Sequence, residues 1–85
     1  DKEFKENIEN ITSCLEKILA LEAKSFNYKD QEQKHIGFIA QDVEKVLPEV
    51  VTKDSKGNLY VAYNEIVPLL CQAIKELHIM FKNNK

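Results

Sequence analysis

The segment NEIVPLLCQAIKELHIMF constrains the fold more than any other part of this 85-residue chain, because its apolar residues recur at helical spacing. Asn64 is the predicted N-cap, and Pro68 falls early enough for the start of a helix to tolerate it. One apolar seam has spacings of four, three, four and three; it contains Ile66, Leu70, Ala73, Leu77 and Met80. The spacing is a heptad pattern with the two leucines at position a and the other three residues at position d.

A second apolar stripe lies beside that seam, formed by Val67, Ile74 and Phe81. The apolar face is therefore wider than a two-stranded coiled coil needs, and leucine at a with a β-branched residue at d leans towards more than two strands. We expect one stripe to pack on the domain and the other to meet sister helices. A lone amphipathic helix folded back on its own sheet is an open alternative.

The rest of the chain predicts short helices and hairpins. Ser13 and Glu16 form a capping-box pattern ahead of a helix over about 14–22, and KSFNY is typical of a short strand. The wholly polar KDQEQKH predicts an exposed turn or loop. IGFIAQDVEKVLP begins as a strand and becomes a helix that Pro48 ends. EVVTK-DSKGN-LYVAY predicts a hairpin whose Leu59, Val61 and Tyr63 alternate. The fold class is α+β: a small sheet or hairpin, short helices and a long C-terminal helix.

Composition limits the function classes. We treat 1–85 as a single domain; its net charge of −2, from 12 basic and 14 acidic residues, predicts no nucleic-acid partner and no membrane partner. Cys14 and Cys71 are expected to be reduced core residues, and His35 and His78 are too scattered for a metal site. No cofactor motif occurs. Taken alone, the residues predict a small interaction module.

Three stretches carry a family resemblance: DKEFKENI, HIGFIAQDVEKVLPEVV and NEIVPLLCQAIKEL. In order and spacing they resemble the intramolecular chaperone domain, peptidase S74, of endosialidases, phage tail spikes and neck appendage proteins, which also occurs in myelin regulatory factors. The resemblance implies the C-terminal part of a larger fibre protein, whose long C-terminal helix forms a homotrimeric helical bundle or coiled coil. It also implies a partner in the same polypeptide, an upstream β-rich stalk that the trimer aligns, and a trimer interface along the seam from Ile66 to Met80.

The resemblance further implies self-cleavage at a Ser–Asp bond by a serine–lysine dyad. Asp1 matches the residue after the cut bond and Lys5 matches the dyad lysine; the serine would immediately precede Asp1. A serine hydroxyl needs a base, and a lysine is one only when neutral, which desolvation or nearby cations favour. Glu3 and Phe4 stand where many members have Arg-Leu.

His35, Gln41 and Asp42 are possible supporting residues of that site. On this interpretation the precursor is a self-cleaving serine peptidase and the fragment is its inactive product. It would act in the host cytoplasm during virion assembly and be released from the mature virion. Two alternatives stay open: a permanent trimerisation domain that is never cleaved, and a domain like that of myelin regulatory factors, which releases a transcription factor from a membrane.

Overall fold

A computed structural model describes residues 1–84 of the chain. Three α-helices and four β-strands follow a short 3₁₀ turn at Lys2–Phe4. In chain order they are α1 (Cys14–Leu19), β1 (Lys24–Phe26), β2 (His35–Gly37), α2 (Ala40–Val46), β3 (Val51–Lys53), β4 (Leu59–Val61) and α3 (Tyr63–Asn83). The predicted α+β class, with short helices, hairpins and a long C-terminal helix, is confirmed.

Two separate antiparallel hairpins replace a single sheet. In the first, Phe26 of β1 pairs with His35 of β2; in the second, Val51 of β3 pairs with Val61 of β4. The DSKGN turn of the second hairpin contains Gly57 at φ +87°, a left-handed conformation that glycine adopts without steric cost. The predicted strand within KSFNY and the predicted DSKGN hairpin are both confirmed.

The core lies where α2 and the second hairpin meet the start of α3. Its buried residues are Val43, Leu47, Val50 and Ile66. Pro48 ends α2 as predicted and opens a 3₁₀ turn, Pro48–Val50, which turns the chain into β3. The core therefore fixes the N-terminal half of α3 to the domain.

The predicted capping box at α1 is wrong. Ser13 has a left-handed backbone (φ 58°, ψ 33°), so its hydroxyl caps nothing, since an N-cap serine needs extended backbone angles. Glu76 of α3 takes that role: its carboxylate accepts the backbone N–H of Leu15 at 3.0 Å and of Cys14 at 3.1 Å. These two donors lower the pKa of the Glu76 carboxyl from its usual 4.5, the Leu15 bond contributing most.

Two helix boundaries and one burial also differ from prediction. Helix α1 ends at Leu19 rather than near position 22, because the Leu21 N–H bonds to the Ile18 carbonyl and closes a 3₁₀ turn. Cys14 is buried as expected, but Cys71 is exposed on α3, on the side that the core does not cover. Both thiols are free.

The start of α3 is the third difference. Ala62, not Asn64, is the N-cap, because the Ala62 N–H still bonds to the Val50 carbonyl of the hairpin while the Ala62 carbonyl accepts the Glu65 N–H. Helix α3 therefore begins at Tyr63, which was predicted to be the last alternating strand residue. Pro68 lies inside α3, and the helix is continuous through it.

Candidate functional site

Helix α3 divides its apolar residues between the domain and the surface. Of the predicted trimer seam, Ile66 and Ala73 are 3% exposed and are used inside the chain. Leu70, Leu77 and Met80 are 42 to 53% exposed. Whether the five residues meet sister chains stays a prediction, but two of them already have intrachain partners.

The second stripe lies on the open side of α3. Val67 is 62% exposed and Ile74 66%, and with the two leucines they form a ridge of spacing three, four and three. We call Val67, Leu70, Ile74 and Leu77 the outer seam. In this register the β-branched residues occupy position a and the leucines position d. The outer seam is therefore a heptad surface that the chain's own fold leaves exposed.

The chain exposes more surface than a self-contained domain of its mass. Its accessible area is 7518 Å², whereas scaling for a folded monomer of 9.8 kDa gives about 5,200 Å². Its radius of gyration is 16.0 Å, against about 12 Å for a compact chain of this length. One copy of the chain therefore leaves more surface in water than scaling predicts for a self-contained monomer.

Asp1 and Lys5 lie on an N-terminal arm, residues 1–12, that is exposed along its whole length. The Asp1 carboxylate accepts the Glu3 N–H at 3.1 Å, and the 3₁₀ turn Lys2–Phe4 holds Asp1 and Lys5 at its two ends. The arm then passes along α3, where Ile11 shares a groove with Glu65 and Leu69.

Phe4 and Ile8, the arm's apolar residues nearest to Lys5, are 87% and 66% exposed. The folded chain therefore leaves Lys5 in water and supplies no apolar cover for it.

The three supporting residues lie elsewhere. His35 is on β2, with its ring 6.0 Å from that of Phe26, and Gln41 and Asp42 are in the first turn of α2. Within residues 1–84 no hydrogen bond or ion pair joins Lys5 or Asp1 to any of these three side chains. Within one copy the predicted site residues therefore lie on three separate elements, the arm, β2 and α2, with no direct polar contact among residues 1–84 joining the arm to the other two.

An aromatic cleft opens between the two hairpins, with a volume of about 460 Å³. Its aromatic lining is Phe26, Tyr28, Phe38, Tyr60 and Tyr63. These are all three tyrosines and two of the four phenylalanines of the chain. Gln41 lines the same cleft, and His35 contacts its wall through stacking on Phe26. We call this surface the aromatic cleft.

Tyr63 organises the cleft. Its hydroxyl accepts the Phe38 backbone N–H at 2.9 Å, and the two rings stack with centroids 6.0 Å apart at 19°. Gly37 makes this approach possible, because a Cβ there would lie 2.7 Å from the Tyr63 hydroxyl. The glycine of the GFIAQ motif is thus needed for space.

Tyr60 is held on the other wall by the second hairpin. Its hydroxyl donates to Asp54 at 3.2 Å, which raises the pKa of the phenol. The same carboxylate accepts the backbone N–H groups of Asn58 and Lys56, and the Asn58 amide is the main cause of its lowered pKa. The Asp54 carboxylate therefore holds both the DSKGN turn and the Tyr60 wall of the cleft.

Two findings bear on other functions. Among residues 1–84 no group of three or more His, Cys, Asp or Glu side chains is placed to hold a metal ion. No helix in that range combines the length and the apolar character needed to cross a bilayer.

The sequence interpretation missed both Glu76 and the cleft. Its tyrosines were assigned to strands one by one, and only the paired hairpins bring them together. The available signal was that all three tyrosines fall in the two predicted strand segments KSFNY and LYVAY.

Comparison with known proteins identifies a family. Residues 1–52 match the family model Peptidase_S74, described as chaperone of endosialidase. The chain belongs to this family. It is also similar to the long tail fiber protein Gp37 of Enterobacteria phage M1 and to that of Enterobacteria phage Ox2. In each case the identity is 33% over 90 residues, covering 95% of this chain and 35% of the relative. The chain thus spans about a third of the length of the curated relatives it matches.

Proposed function

We propose that this chain is the C-terminal intramolecular chaperone of a phage tail fibre. Three copies associate through the outer seam and hold the upstream parts of the fibre in register. A serine before Asp1 and Lys5 then cleave the chaperone from the fibre. The observation that carries the proposal is the outer seam, an exposed heptad surface on a chain that belongs to the chaperone-of-endosialidase family.

Register is the physical problem that such a domain solves. A long β-rich stalk forms non-local pairings, and each one costs loop-closure entropy before its contacts stabilise it. Holding three chain ends side by side removes most of the conformational search for the correct pairing register. After cleavage the stalk is kinetically trapped, because it can no longer refold without the chaperone.

The residue pattern of the outer seam bears on the number of copies that associate. Val67 and Ile74 at position a with Leu70 and Leu77 at position d is a combination that two-stranded coils favour. Three copies are what the family implies. The wide apolar face of α3, part of it buried on α1 and on the Pro48–Val50 turn, gives each helix more contact area than a two-stranded seam uses.

Assembly also explains how Lys5 becomes a base. In one copy Phe4 and Ile8 are exposed and Lys5 is hydrated. Packing those apolar residues on a neighbour would strip water from the ammonium group and favour the neutral amine, which can accept the serine hydroxyl proton. Cleavage would then follow assembly in the host cytoplasm and release the domain from the mature virion.

A permanent trimerisation domain is the second candidate function. Glu3 favours it, because an acid of opposite charge stands where many family members have the arginine that precedes the dyad lysine.

Both are tested with a precursor that contains the residues upstream of Asp1. We expect the wild-type precursor and the matched control Lys2→Ala to yield a fragment that starts at Asp1. Lys5→Ala should remain uncleaved while forming oligomers of the wild-type size. Cleavage of Lys5→Ala at the wild-type rate would contradict the dyad; no cleavage of the wild type would favour the permanent domain.

A further inference from the structure

Two complementary apolar features of the chain stay exposed in its own fold. The aromatic cleft is one. The other is Phe4, which at 87% is the most exposed large hydrophobic residue among residues 1–84. Exposed aromatic surface of this kind is characteristic of interaction sites.

We propose that the aromatic cleft of one copy binds Phe4 from the arm of a neighbouring copy. Lys5 of the first chain is thereby placed beside His35 and Gln41 of the second, so that the cleavage site is shared between copies. This inference rests on the proposed self-association and specifies which surfaces meet.

The position of the cleft favours a second copy as its occupant. Tyr63, in the wall of the cleft, precedes Val67 by four residues and Leu70 by seven, so it lies in line with the outer seam. Tyr63 is 48% exposed. A neighbour that packs on the outer seam therefore comes next to the cleft.

The chain's own arm runs along the opposite side of α3. Ile11 shares its groove with Glu65, and Glu65 is about 200° around the helix from Tyr63 at about 100° per residue. The arm and the cleft of one copy thus lie on opposite faces of α3, whereas the cleft of a neighbour adjoins the surface on which assembly occurs.

The phenyl side chain of Phe4 suits the lining of the aromatic cleft. The cleft, of about 460 Å³, has room for one phenyl ring, and its walls present both faces and edges of aromatic rings. Existing pairs show the preferred geometries: Phe26 and Tyr28 are edge-to-face at 5.5 Å, and Phe38 and Tyr63 are stacked at 6.0 Å.

Disulfide trapping between unlike chains tests the proposal. All chains carry Cys71→Ser, which removes the exposed thiol. A mass-tagged chain with Phe4→Cys is mixed with an untagged chain carrying Tyr28→Cys, refolded and oxidised. The matched control replaces Tyr28→Cys by Ile36→Cys, a position 85% exposed on the same hairpin but outside the cleft.

We expect a covalent product of one tagged and one untagged chain with Tyr28→Cys, and its loss with Ile36→Cys. The oligomer mass of each mixture is measured in parallel. Oligomers of unchanged mass with no cross-link, or with equal cross-linking at both positions, would overturn the docking but not the proposed function. A monomeric mixture would overturn both.

A second measurement separates docking from a general structural effect. In the precursor, Phe4→Ala should slow cleavage about tenfold, the loss expected when a buried aromatic side chain is removed, while Phe4→Tyr should restore it. Equal rates for Phe4→Ala and the wild type would contradict a positioning role.

Discussion

Glu76 and Cys14, 62 positions apart in sequence, are joined by a 3.1 Å hydrogen bond from the Cys14 backbone N–H to the Glu76 carboxylate. The carboxylate therefore does for α1 what a local N-cap residue does in most helices. It also fixes α1 on the C-terminal half of α3, since α1 has only six residues and would not be stable alone. One side chain thus links α1 to the long C-terminal helix.

Replacing this cap should lower stability. We expect Glu76→Ala to reduce the midpoint of urea unfolding, because two backbone donors at the start of α1 lose their acceptor. Glu16→Ala is the matched control: it is the residue of the predicted capping box, and the Ser13 hydroxyl forms no cap. Equal losses for the two variants would contradict the role assigned to Glu76.

Acid should weaken the same contact. The pKa of Glu76 is lowered in the folded chain, so its contribution is fully present above about pH 4.5, the usual value, and is lost as the pH falls through the folded pKa. Glu76→Gln should therefore lose less stability than the wild type between about pH 5 and about pH 3. This range brackets the titration of a glutamate carboxyl group. Parallel acid curves for the two proteins would contradict this.

Gly37 should be coupled to Tyr63. Gly37→Ala places a methyl group 2.7 Å from the Tyr63 hydroxyl and should destabilise the chain by about 1–3 kcal/mol through overpacking. In a Tyr63→Phe background the hydroxyl is absent, and the same change should cost clearly less. A double-mutant cycle by denaturant unfolding measures the coupling, and additive losses would show that the two residues act independently.

The sequence predicted element types well because their signals are local. Pro48 ends α2 wherever it lies, and Gly57 in a polar turn between β-branched residues specifies a hairpin. The Ser13 prediction was wrong for the opposite reason: the true cap comes from Glu76, which no local pattern links to α1.

The sequence pattern likewise could not predict which apolar stripe of α3 is buried. Ile66 and Val67 are adjacent and similarly apolar, yet one is 3% and the other 62% exposed. Only the packing of α1 and of the Pro48–Val50 turn against the helix decides between them. The aromatic cleft was unpredictable on the same grounds, since residues from both hairpins form it.

The most direct test of the proposed assembly is the native mass of the isolated chain, measured by light scattering or native mass spectrometry. We predict three times the 9.8 kDa of one chain. Ile74→Asp should yield monomers, because it charges the outer seam at a residue that is 66% exposed and outside the core.

Ile79→Asp is the control for that variant: it changes the same residue type at 55% exposure on another face of α3, and should keep the wild-type mass. A wild-type mass of one chain would contradict assembly through α3, and a mass of two chains would contradict the trimer. Loss of the oligomer in both variants would show that the outer seam is not the interface.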